Sequence, residues 1–411
     1  MTAWRRTLRD CGRVLSGGDA RAAARNNFLK EFSYTHRLER CLGHPQVYEI
    51  ETTNRCPFTC VMCPRTYAMT RAEGEMDIGL FRDVIDQIRP AWQMDRAGAR
   101  PLVRLLYYGE PFLYHHFADS IEYCHRRGFQ VFLSSNPAVW TQRRMEEVLD
   151  TGVDELMAMV DGLDEETSVA IRGKAARFER TDRNIRRFAE MKQRRGAARP
   201  YFVIAMIKQP RNAHQWSSFR DYWRDIAGID ACYLAHLSAL NNSVEPINAL
   251  NDALIRQDDE QAAQVARQEY LSRFPCYFPW HSVCVTWTGE VVPCCRDYNA
   301  LKVVGDLKKD SLDAIWNGPA MRALRREFIT GRVDNPLCGT CTEANLETGL
   351  PGRYYLPARF LIRRMQRAAR AVTKIGPSLS GSLHGAQSQC GGGYIRMPKR
   401  EKQEALEKTC V

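Results

Sequence analysis

Between residues 46 and about 240, short β-branched and aromatic runs alternate with longer stretches whose apolar side chains recur every three or four positions. The β-rich runs are Val47–Glu51, Pro101–Tyr108, Phe129–Ser135, Glu155–Val160 and Tyr201–Ile207. Helical periodicity marks Ile78–Ile88, His116–Arg127 and Arg183–Arg194. A period of two predicts strands and a period near 3.6 predicts amphipathic helices. Their regular alternation predicts parallel βα units, hence an α/β fold. Residues 1–45 read as a basic helical extension, with Trp4, Leu8, Cys11 and Leu15 on one face and Arg5, Arg6, Arg9 and Arg13 elsewhere. Further on, Trp287-Thr288-Gly289-Glu290-Val291-Val292 predicts a β-hairpin turning at Thr288-Gly289. Leu361, Met365, Ala368, Val372 and Ile375 predict a basic amphipathic helix over 358–375, stopped by Pro357 and Gly376-Pro377. The Gly- and Ser-rich tail beyond it is expected to be disordered.

At 411 residues the chain can bury a large core and divide into more than one domain. The net charge of +11 sits at the ends: residues 353–411 carry +9, residues 1–45 carry +5, and the remainder carries −3. A near-neutral body argues against nucleic acid as the partner. The basic ends suggest weak peripheral contact with an anionic membrane, the alternative being a helix packed back on the body. No run approaches 18 apolar residues and no secretory h-region opens the chain. Fifteen cysteines in clustered spacings point to metal ligation in a reducing compartment, with the cytoplasm expected.

The first cysteine cluster is Cys56-x3-Cys60-x2-Cys63, directly after the Val47–Glu51 strand. Three thiolates on one short loop can hold three irons of a cubane and leave the fourth open to a small molecule. A zinc site there would lack a nearby fourth ligand. Cys276, Cys294, Cys338 and Cys341 form a second set, which the hairpin helps to bring together. Four thiolates would close a cluster; a zinc ribbon is the structural alternative. Cys284 and Cys295 are surplus, Cys124 and Cys232 read as buried hydrophobes, and Cys11, Cys41, Cys390 and Cys410 show no role.

The three-cysteine spacing and its flanks resemble the radical S-adenosylmethionine (SAM) superfamily. Cys276 to Cys341, with Gly289-Glu290-Val291-Val292-Pro293-Cys294-Cys295 and Ile315-Trp316-Asn317, resembles its SPASM/twitch C-terminal domain. The resemblance covers about residues 46–345 and implies a partial (βα) barrel of the radical SAM type with a small α+β auxiliary-cluster domain. The expected divisions are 1–45, a core at 46–245, an auxiliary domain at 246–350, and the basic helix and tail at 351–411. The implied cofactors are SAM and two 4Fe–4S clusters, and a flavodoxin- or ferredoxin-like protein is the implied electron donor. In this family the open iron binds SAM, whose reductive cleavage yields a 5′-deoxyadenosyl radical that abstracts substrate hydrogen.

Carried over residue by residue, the resemblance puts Met62 against adenine and Gly109-Glu110 at the SAM ammonium, with Tyr108 where the family has its first glycine. Ser135 and Asn136 match a position facing the ribose and carboxylate of SAM, although an Asx turn would explain the asparagine. Asp161 and Arg172 match positions directed at SAM or substrate, with turn capping the alternative for Asp161. No general base stands out; Asp297, His281 and Tyr298 lie near the second cysteine set. The ligand order resembles a twitch dehydrogenase of an aminocyclitol, which implies an oxidoreductase acting on a small sugar or cyclitol alcohol. Peptide modification is the second enzyme reading, set back by the shortness of the 45-residue extension. A non-catalytic iron–sulfur electron carrier is the third.

Overall fold

A computed structural model describes residues 17–93, 101–237, 244–250, 276–339, 341 and 394–396. Residues 1–16 and the helix expected at 358–375 lie outside them. The described residues begin with helix α1 (Gly17–Thr35), followed by strand β1 (Gln46–Ile50). Helix α2 (Ile78–Asp86) starts where Asp77 accepts from the Gly79 and Leu80 amides, and it buries Phe81, Val84 and Ile85 along one stripe.

The βα alternation follows. Strand β2 (Leu102–Arg104) leads to α3 (Phe117–Arg126), and β3 (Gln130–Ser135) to α4 (Gln142–Thr151). Strand β4 (Glu155–Met159) leads to α5 (Glu165–Arg172) and α6 (Phe178–Arg194). Strand β5 (Tyr201–Lys208), α7 (Phe219–Arg224) and β6 (Ala231–His236) complete the unit. Strands β2 to β6 form one parallel sheet in sequential order. On β4, Leu156 and Ala158 join the main core, and Val160 continues the same alternation. By the period of two, Met157, Met159 and Asp161 then face into the barrel.

Two features depart from the sequence reading. Strand β1 lies against β2 but is not hydrogen-bonded into that sheet; it pairs in parallel with β7 (Ser282–Val285). The β7 strand is buried throughout, so the hairpin that it makes with β8 (Glu290–Val292) turns at Gly289, φ +88°, and packs as an extension of β1. Strand β9 (Gly305–Asp306) completes this second sheet. Helices α8 (Leu312–Trp316) and α9 (Pro319–Thr330) follow, the latter ending at Gly331 in the left-handed region. Within the tail expected to be disordered, β10 (Tyr394–Arg396) pairs antiparallel with β6 and covers that edge of the main sheet.

A buried ion pair ties the end of β1 to the segment that follows the cysteine loop and to the β7–β8 hairpin. Glu51, just past β1, takes both guanidinium arms of Arg71 at 2.8 and 2.7 Å and accepts from the Trp287 amide at 3.1 Å. Arg71 also donates to the Tyr298 carbonyl at 2.7 Å. No helix among the described residues is long and apolar enough to cross a membrane.

Candidate active site

The loop after β1 carries Cys56, Cys60 and Cys63, packed together with Phe58, Met62, Ala138, Val139 and Ala176. Its turns are held from within by the Cys63 amide on the Cys60 carbonyl (3.1 Å), Thr66 Oγ1 on the same carbonyl (2.9 Å) and Arg65 Nε on the Asn54 carbonyl (3.0 Å). It is also held from outside. The Val61 amide donates to the Ile171 carbonyl at 2.8 Å and the Thr59 amide to the Arg172 carbonyl at 3.2 Å. Burial pushes the Cys56 and Cys60 thiols up to about 12 and raises Cys63 as well. Thiols so disposed ionise only when a metal takes the charge.

Cys276, Cys294, Cys338 and Cys341 line one cavity, whose other walls include Phe278, Pro293, Leu324, Phe328 and Leu337. Burial drives Cys276 well above the ordinary thiol range and Cys338 up to about 12. Among the described residues no three His, Cys, Asp or Glu are arranged to hold a metal ion as their side chains stand. All four thiols line the same cavity, so four thiolates are available there to a single metal centre. Cys284 is buried in β7, and Cys41, Cys124 and Cys232 belong to the main core, so these four pack as hydrophobes.

The polar residues expected at SAM converge at the ends of β2, β3 and β4. Gly109 abuts the backbone of Thr53 and Asn54, which leads into the cysteine loop, and the Glu110 amide donates to the Arg55 carbonyl at 2.9 Å. The Glu110 carboxylate accepts from Ser135 Oγ (2.6 Å), the Asn136 amide (2.9 Å) and the Phe112 amide (3.2 Å). The Asx turn is also present, because Asn136 Oδ1 accepts from the Ala138 amide at 3.0 Å. Asp161 is no turn cap: it accepts from the Ile207 amide of β5 at 2.7 Å and from Arg172 Nε at 2.8 Å.

Three donors draw the Glu110 carboxyl down, yet full burial outweighs them and leaves it at about 7. Its charged form lacks a cation at hydrogen-bond distance, which an ammonium would supply. Two orphaned amides point the same way. Asn136 Nδ2 is buried without a hydrogen-bond partner, and Gln209, just past β5 and fully buried, has neither amide atom paired. Unpaired buried amides are costly, so a polar ligand at these strand ends fits the residues present. Gln209 was missed from sequence; its signal was its place one residue beyond a β run, with Asn212 Oδ1 accepting from its own amide at 2.8 Å.

The candidate bases divide. Both Asp297 oxygens are occupied by the Leu301 and Lys302 amides at 2.7 and 2.9 Å, so it caps a loop. His281 is buried in a stack on Tyr277, and burial lowers its basicity well below the usual value. Tyr298 stands edge-on to Tyr108 at 6.0 Å. Two contacts that the sequence did not reveal join the segment after β2 to the loop that follows Cys294: Tyr107 Oη donates to the Asp297 carbonyl (2.9 Å) and Tyr108 Oη to the Cys295 carbonyl (2.8 Å).

Burial holds the Glu110 carboxyl at about 7, so a SAM ammonium paired with it is expected to bind more weakly as pH falls through that value. The loss should approach about tenfold per pH unit, and Glu110→Gln should flatten the profile; equilibrium dialysis between about pH 6 and 8 measures both.

Residues 50–210 match the radical SAM superfamily, and residues 276–342 match SPASM, an iron–sulfur cluster-binding domain. Over 320 residues the chain is 23% identical to the tungsten-containing aldehyde ferredoxin oxidoreductase cofactor-modifying protein of Pyrococcus furiosus, covering 71% of this chain and 86% of that one. It is 21% identical over 308 residues to the S-adenosyl-L-methionine-dependent 2-deoxy-scyllo-inosamine dehydrogenase of Niallia circulans, covering 73% and 94%. Streptococcus suis SuiB, solved with its precursor peptide SuiA, shares the fold at a TM-score of 0.51 and 14% identity, covering 69% of this chain and 67% of that one. Strands β2 to β5, the strand-end residues from Glu110 to Gln209 and the two cysteine sets thus fall within the matched segments, and this chain is an iron–sulfur enzyme of the radical SAM superfamily, with a SPASM domain, that uses SAM and 4Fe–4S clusters.

Proposed function

We propose that the chain is a radical SAM oxidoreductase that converts an alcohol carbon of a small sugar or cyclitol to a carbonyl, with one auxiliary 4Fe–4S cluster as the electron exit. The observation that carries this reading is the cavity lined by four cysteines, with the loop after Cys294 tied by Tyr107 and Tyr108 to the chain segment that bears Glu110. Four protein ligands leave no iron for substrate, which suits electron transfer rather than substrate ligation.

In this reading Cys56, Cys60 and Cys63 hold the first cluster, and Cys276, Cys294, Cys338 and Cys341 the second. Glu110 receives the SAM ammonium, Gly109 admits the backbone, and Met62 contacts adenine. Ser135 and Asn136 face the ribose and carboxylate, and the Asp161–Arg172 pair borders the same space. When bound, cluster and SAM supply one-electron chemistry that removes a hydrogen atom, after which an electron and a proton must leave the alcohol. A flavodoxin- or ferredoxin-like protein would deliver the priming electron, and the basic ends would give weak contact with an anionic membrane.

The test uses the full chain, reconstituted anaerobically, with dithionite, SAM and 2-deoxy-scyllo-inosamine or related aminocyclitols. SAM should yield 5′-deoxyadenosine and the cyclitol a ketone. Cys338→Ala, checked for folding by circular dichroism, should still cleave SAM yet lose at least about tenfold of ketone formation, equivalent to about 1.4 kcal/mol. Full ketone formation by a folded Cys338→Ala protein would overturn the electron-exit role. Turnover of peptides but of no polyol would favour the second reading, peptide modification.

A further inference from the structure

Arg172, the last residue of α5, touches more than its acidic partner. Its Nε and Nη2 clasp Asp161 Oδ2 at 2.8 and 2.6 Å, while Nη1 reaches Cys60 Sγ at 3.9 Å, the outer range for a sulfur acceptor. The side chain is 11% exposed and that of Asp161 is fully buried. The backbone cannot easily drift, because the carbonyls of Ile171 and Arg172 accept the Val61 and Thr59 amides on either side of Cys60. The next residue, Gly173, sits at φ +83°, where a Cβ would fall 2.0 Å from Thr59 Oγ1. The end of α5 and the cysteine loop are therefore one packed unit, with a guanidinium turned toward a thiol that is a candidate iron ligand.

We propose that Arg172 is a positioning residue for the first cluster: its guanidinium donates to the Cys60 sulfur and raises the cluster's reduction potential, with Asp161 as the counter-charge that limits the effect. This rests on the reading of Cys60 as an iron ligand. Hydrogen bonds to cluster sulfurs and nearby charge set such potentials. A buried cation favours the form that carries the extra electron, and low dielectric magnifies the attraction. Asp161 is pinned separately by the Ile207 amide, so it offsets the cation from a fixed place. Glu110 is a further carboxylate in electrostatic range of Arg172, and it stays unchanged in the variants below.

The opposed charges give opposed predictions. The full chain is reconstituted anaerobically without SAM, and the first cluster is titrated by electron paramagnetic resonance at fixed solution potentials. Its signal is identified as the one that Cys60→Ala lacks. Arg172→Gln should lower the reduced-to-oxidised ratio about tenfold, a midpoint about 59 mV more negative for one electron. Asp161→Asn should shift the ratio the other way, and Arg172→Lys, which keeps the charge, should fall between Arg172→Gln and the parent. An unchanged ratio in iron-replete Arg172→Gln, or shifts of the same sign in Arg172→Gln and Asp161→Asn, overturns the proposal. If Arg172→Gln fails to load iron, a ratio that does not rise in Asp161→Asn overturns it alone. A parent protein with no signal lost in Cys60→Ala would instead overturn the ligand reading.

Discussion

Reconstituted without oxygen, the chain is expected to load about eight irons, and replacing Cys56, Cys60 and Cys63 together with Ala should leave about four. SAM cleavage should fall to background in that variant and in Cys60→Ala alone. The two sets are separate in structure: one sits on the loop after β1, and the other lines a cavity walled by Phe278, Leu324 and Phe328. Losing one therefore need not empty the other. The loop variant should also fold, since its backbone bonds to residues 171 and 172 do not involve the thiols. Iron and sulfide analysis with a 5′-deoxyadenosine assay reads both effects. An iron content unchanged by the triple replacement would remove the first cluster from that loop, and stoichiometric zinc in the second set would restore the ribbon alternative.

Gly109→Ala is expected to be nearly as severe. A Cβ there would lie 1.9 Å from the Thr53 carbonyl oxygen and 2.9 Å from Asn54 Cα, both backbone atoms that have no rotamer with which to escape. The end of β2 must then retreat from the chain that leads into the cysteine loop. That breaks the Glu110 amide bond to Arg55 and displaces the carboxylate from Ser135. Overpacking of this kind costs about 1–3 kcal/mol in stability. Its effect on SAM cleavage should be larger, because a displacement of about 1 Å at a catalytic group costs on the order of a hundredfold. Thermal unfolding and SAM cleavage measured on the same sample separate the two. A variant with parental cleavage would show that the close approach is not needed.

Local periodicity made the βα framework legible. Predicted and observed strands agree closely at Gln130–Ser135, Glu155–Met159 and Tyr201–Lys208, where apolar residues cluster in short runs that the sheet buries. The hairpin was legible for the same reason, with glycine at the turn. The partner of β1 was not, since its alternation states that a face is buried but not which strand, 236 residues later, buries it. Glu110, Ser135 and Asn136 were legible as neighbours through motifs that resemble the family's, and hydrogen bonds join them. Gln209 and the Arg172–Cys60 contact were not, because they arise where separate βα units meet, and no short window spans that meeting.

The parallel pairing of β1 with β7 bears on where the chain can be cut. Severing it before Cys276 would strip β1 of its hydrogen-bonded neighbour and bare the main-chain edge that feeds the cysteine loop. Such an edge recruits other chains, and the buried Glu51 would meanwhile lose the Trp287 amide. The core and auxiliary segments are therefore not interchangeable cassettes. A graft that exchanges one for a relative's would have to preserve the register Gln46 to Ser282 through Ile50 to Val285, so the two halves are constrained to diverge together.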